Sequence, residues 1–182
     1  MPFAYFERLN RRQQAIYLRS DAITTMPLRH REPLRPLVAG LERALASGDR
    51  RLAESATQAL ATGLARALGV PPVRVTVLAA RPHAQWGELH GLYETAGRRQ
   101  DPPQITLWMR TARQKRVVAF RTYLRTVLHE MGHHVDYTLL RLGDSFHTRG
   151  FYQRESHLFH QLVTDGGARM TSIEEQMARM AR

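Results

Sequence analysis

Two histidines stand four residues apart within the longest helical pattern of this chain, and that pairing constrains the fold more than any other feature. Residues 117–140 carry apolar side chains at helical intervals and read as one helix, inside which His129-Glu130-Met131-Gly132-His133 occurs. Residues i and i+4 of a helix project from one face, one turn apart. The two imidazoles can therefore grip a single ion, and zinc takes neutral imidazole nitrogen at about 2.0–2.1 Å. Glu130 lies one residue along, so its carboxylate is expected on the open side of the ion, placed to take a proton from a water held there. With 9 histidines in 182 residues, composition alone produces such a pentapeptide in roughly 2 of 100 chains. Gly132 costs this helix roughly 1 kcal/mol against alanine. Close backbone packing against a neighbouring strand would account for it.

The rest of the chain supplies the context for that helix. Residues 5–19 read as a helix with Phe6, Leu9, Ile16 and Leu18 buried. Pro27, Pro33 and Pro36 then interrupt the chain, and helices follow over 37–46 and 51–68, with Gly69 at the C-terminal glycine position of the second. After Pro71-Pro72 the period changes. Val73-Arg74-Val75-Thr76-Val77-Leu78 alternates and is rich in β-branched residues, so it reads as a strand. Residues 89–93 read as a second, short strand and 104–110 as a third. Beyond the motif helix, which Gly143 is expected to stop, a helix is expected over 151–163 and a short polar one after Thr171. Helices, then strands, then helices indicate an α+β fold. The length suits one domain, with a helical part over 1–70 and the motif-bearing part over 71–182.

Composition narrows the function. The chain has no cysteine, which excludes disulfides, thiol nucleophiles and cysteine-ligated zinc ribbons and fits a cytoplasmic setting. No apolar run is long enough to span a membrane, and the first residues lack the apolar stretch of a secretory signal. Glycine-rich phosphate loops, dinucleotide fingerprints and serine-hydrolase elbows are absent. Basic residues number 27 against 16 acidic, a net charge of +11. Lys115 is the sole lysine and the arginines are scattered, which fits a genomic preference for arginine better than a phosphate-binding stripe.

The motif helix with its preceding strands and following segment, roughly residues 73–163, resembles the zincin metallopeptidases. The resemblance implies a zincin-like core, a small mixed sheet with an active-site helix, supported here by N-terminal helices. It also implies zinc-dependent hydrolysis of a protein or peptide substrate, with Glu130 as general base and Gln104–Arg110 as the edge strand that holds substrate by strand addition. Zinc needs a third protein ligand. Asp136 and Leu139 occupy the places where a metzincin has glycine and histidine, so that pattern is excluded. Downstream, His147 and Glu155 compete. If the helix runs to Leu142, the chain is about 13 Å past His133, and five extended residues return about 17 Å. His147 is then reachable but taut, and Glu155 has more slack. The segment Ser145-Phe146-His147-Thr148-Arg149-Gly150-Phe151 resembles that of SprT-like proteases, where a histidine and glycine precede an aromatic, although no glycine directly follows His147. That resemblance favours His129, His133 and His147 as the metal set, while Glu155 would resemble the gluzincin pattern.

Other side chains receive lesser roles. His134 points about 100° from His133 and is expected in a supporting or surface position. Asp136, nearly two turns from His129, is a candidate for orienting a ligand imidazole. Tyr152 could polarise a carbonyl. His157 and His160 are expected at the surface, and His30, His83 and His90 have no ligand spacing. A second class of function, a basic nucleic-acid-binding module with a vestigial or structural zinc site, follows from the charge. SprT-like proteases themselves act on DNA-bound proteins, so the two could combine.

Overall fold

A computed structural model describes residues 2–80, 90–97 and 101–163. The expected helix over 5–19 is divided. A short 3-10 turn, Ala4–Arg8, precedes α1, Arg11–Asp21. The break lies at Asn10, whose side chain accepts from the Gln13 amide while Gln13 returns the bond, a capping box that starts a new helix. Leu18 is 51% exposed and Tyr17 is fully buried instead, because the register of α1 restarts at Asn10. Helix α2, Leu34–Ala46, begins three residues early, with Pro36 in its first turn where a missing N–H costs nothing. Helix α3, Arg50–Leu68, is capped by Asp49 and ends at Gly69 in the left-handed conformation, φ 69°.

Three strands form one mixed sheet in the order β1-β3-β2. Strand β1, Arg74–Ala80, runs parallel to β3, Gln104–Arg110, and β2, Gly91–Glu94, runs antiparallel to β3. Gln104–Arg110 is therefore the central strand and not the expected edge. Its five middle residues are all buried, so both faces are covered and both backbone rows are taken by neighbours. Among the described residues, the edge beside the motif helix is β2.

Helix α4, Phe120–Thr138, carries the motif, and α5, Arg149–Leu162, packs against it. Tyr123, Leu124, Val127, Leu128, Met131 and Val135 form the buried stripe of α4. They join β1, β3, α2, α3 and α5 in one core. Helix α4 ends four residues before Leu142, and the chain reverses through Arg141, at φ 50°, not through Gly143. The Leu142 amide donates to Asp136 O at 2.9 Å and closes that turn. The early stop removes the tautness expected of His147. The architecture is α+β, and among the described residues no helix is long and apolar enough to cross a membrane. The helix expected after Thr171 lies outside the described residues, as does His83.

Candidate metal centre

His129, His133 and His147 come together with one nitrogen each, all within 4.8 Å of one another. His147 Nε2 lies 2.9 Å from His129 Nε2 and 3.1 Å from His133 Nε2. The two helical rings meet because α4 presents them one turn apart. The third arrives on the irregular segment between α4 and α5, just before Thr148 caps α5 by accepting from the Phe151 amide.

The far nitrogen of each helical histidine is occupied, and this sets its tautomer. His129 Nδ1 donates to Glu155 Oε2 at 3.0 Å, with Arg125 on the other carboxylate oxygen at 3.5 Å. His133 Nδ1 lies 2.7 Å from Ser145 Oγ. Ser145 gives its own proton to Asp136 Oδ2 at 2.8 Å, so its oxygen receives that of His133. Arg154, 3% exposed, holds the other oxygen of the fully buried Asp136 at 2.8 Å. Both Nε2 atoms therefore carry lone pairs directed at His147 Nε2, which as an N–H can donate to only one of them and as an unprotonated nitrogen repels both. A cation among the three relieves that repulsion. Tetrahedral zinc with nitrogen ligands sets them about 3.3 Å apart, a few tenths of an ångström wider than found, so small ring rotations fit the ion. Burial, then the charges of His129 and His147, lower His133 to about 3. Partial desolvation, then His129, lowers His147. Both favour the neutral imidazole that a metal requires.

Glu130 is 4% exposed and borders the same cavity. Burial raises its carboxyl to about 7, His129 pulls it down by less, and Glu155 pushes it up. Gly91 on β2 leaves the room it occupies: a Cβ there would lie 2.8 Å from both Cγ and Cδ of Glu130. Below the histidines, the buried Phe151 ring has its centroid 5.0, 4.9 and 5.3 Å from those of His129, His133 and His147. Gly132 faces that ring, not a strand, and a Cβ would meet Phe151 Cζ at 3.0 Å. In front, a cavity of about 710 Å³ opens between β2 and α4, bordered by His90, Tyr93, Thr126 and Arg125.

Glu155 is the carboxylate behind His129, with its oxygens given to His129 and Arg125. His134 is wholly buried rather than at the surface, between Tyr93 Oη at 3.1 Å and Pro71 O at 2.9 Å. Asp136 orients a candidate ligand imidazole, as expected; it is that of His133, reached through Ser145. His157 is half-buried and its Nδ1 accepts from the Met26 amide at 2.9 Å. His160 is exposed, as expected. Tyr152 is 46% exposed and its ring lies over His147, with centroids 5.9 Å apart. Ser145, Arg154, Tyr93 and Gly91 carry no motif spacing; Phe151 is the aromatic of the 145–151 segment, and its place under the histidines had no local signal beyond Gly132. Comparisons with protein-family models, with curated proteins and with solved structures find no match to this chain.

Proposed function

We propose that this protein is a zinc-dependent metallopeptidase of zincin-like core, hydrolysing peptide bonds in a protein or peptide substrate. The observation that carries the reading is the convergence of three Nε2 atoms beside a buried carboxyl, at the wall of an open cavity. Structural zinc sites are closed by four protein ligands, whereas a catalytic site keeps one position free. His129, His133 and His147 would hold the ion, whose Lewis acidity supplies an acidified water and a polarised carbonyl. Glu130 takes the proton of the attacking water on a carboxylate oxygen. The scissile C–N bond then breaks as Glu130 returns that proton to the leaving nitrogen. Burial raises this carboxyl, which makes Glu130 a better proton acceptor than an exposed glutamate. Strand β2 replaces Gln104–Arg110 as the edge against which an extended substrate would lie. A cytoplasmic setting is part of the proposal, on the cysteine-free composition.

Metal content by elemental analysis, together with cleavage of a denatured protein substrate, tests the reading. One zinc per chain is expected, lost in His147→Ala and retained in Glu155→Ala at reduced affinity. Glu130→Gln should keep the metal and lose at least about 100-fold in rate. Full activity in Glu130→Gln would overturn the mechanism. The net charge of +11 leaves nucleic-acid binding as a second reading. Failure to bind duplex DNA even at low salt removes it, since phosphate contacts are strongest there.

A further inference from the structure

His129 and His133 are placed by their own helix, but His147 lies on a segment without regular structure. Its neighbours on both sides, and its own backbone, are anchored to the first twenty residues. Tyr5 Oη donates to His147 O at 3.1 Å. Phe146 packs against Tyr17, with ring centroids 6.3 Å apart. Thr148 Oγ1 lies 3.3 Å from Ser20 Oγ in a fully buried contact. Tyr17 is in turn tied to the N-terminal segment. Its hydroxyl accepts from the Phe3 amide at 2.9 Å, and the rings of Tyr5 and Phe6 pack on it at 5.7 and 5.0 Å. Phe3 stacks on Tyr5 at 6.3 Å and meets Tyr152 edge-on at 6.4 Å, and Tyr152 lies over His147. The aromatic segment thus runs from the amino-terminal residues to the rim of the metal centre.

We infer that the segment around Phe3 and Tyr5 is a clasp that holds His147 in its liganding position, so that docking of this segment sets the affinity of the site for zinc. The inference rests on the three-histidine ligand set proposed above. Two ligands on one helix are pre-organised without help. The third must lose the freedom of an irregular loop, and contacts that restrict it beforehand appear as metal affinity. Tyr5 and Phe3 are positioning residues, since they reach the ion through His147. Lifting the clasp would leave a two-histidine site and release the metal, which makes the first residues a point at which loading can be controlled.

The test is zinc titration against a chromophoric chelator, using the full chain. Tyr5→Phe keeps the ring packing and removes only the hydroxyl, so its zinc dissociation constant should rise about three- to ten-fold. Phe3→Ala with Tyr5→Ala should weaken zinc by about 10–100-fold, approaching His147→Ala. Cobalt(II) substitution provides the spectroscopic readout. The visible bands of the double variant should weaken and move toward those of His147→Ala, a change that lost packing alone does not produce. Wild-type zinc affinity and cobalt spectra in both clasp variants would overturn the clasp, as would lower melting of the metal-free Tyr5→Phe protein at unchanged affinity. A wild-type chain that binds no zinc, or one unaffected by His147→Ala, would overturn the ligand set and the clasp together.

Discussion

At the residue scale the centre depends on side chains other than the three histidines. Ser145 stands between His133 and Asp136, so Ser145→Ala leaves His133 free to turn its proton toward the metal position. Zinc affinity should fall about 10–100-fold, measured by chelator competition, with the fold retained. Arg154 is a stronger case. Its guanidinium donates to Asp136, to Ser20 O at 2.7 Å and to Ile23 O at 2.6 Å, joining α4, α5 and the end of α1. Arg154→Met strands a buried carboxylate and two carbonyls, and should cost about 3–5 kcal/mol in a denaturant titration. Gly91→Ala makes a different prediction. The added methyl would overlap the Glu130 carboxyl, so turnover should drop at least about 10-fold while zinc content stays at the wild-type level.

At the element scale, Gly132 and Gly150 show why α5 lies so close to its neighbours. Gly150, in the first turn of α5, faces the end of α1. A Cβ there would stand 2.5 Å from Asp21 O and 2.6 Å from Ser20 O. Backbone cannot yield as a flexible side chain can, so Gly150→Ala should destabilise the protein by about 2–3 kcal/mol. Gly132→Ala sets a helix-propensity gain of about 1 kcal/mol against pressure on Phe151. Metal-free stability should change little. Zinc affinity should fall, because Phe151 packs against all three candidate ligands. A calorimetric scan of the metal-free protein and a zinc titration separate the two effects. The sheet makes the same point about context. Alternation in Gln104–Arg110 marked a strand, yet its place at the centre depended on which strands paired with it.

For the whole molecule, the ion should act as a ligand of the folded state. Zinc at a free concentration 100 times its dissociation constant stabilises a fold that alone binds it by about 2.7 kcal/mol. For a chain of this size that is a rise of roughly 5–10 °C in melting temperature. Chelation should reverse it, and His147→Ala should abolish most of it.

Local patterns in the chain were enough to establish the α+β order, most strand and helix positions, the Gly69 cap and the pairing of His129 with His133. Each depends on neighbours within a turn or two, where backbone geometry alone decides which side chains share a face. Tertiary packing alone decided that His147 completes the cluster while Glu155 stands behind His129. It alone gave the edge position to β2 and assigned His134, Ser145 and Arg154 to support. Those outcomes depend on where α4 stops and how α5 returns along it. That in turn follows from contacts among residues up to 142 positions apart, whose burial and hydrogen bonding no local periodicity encodes.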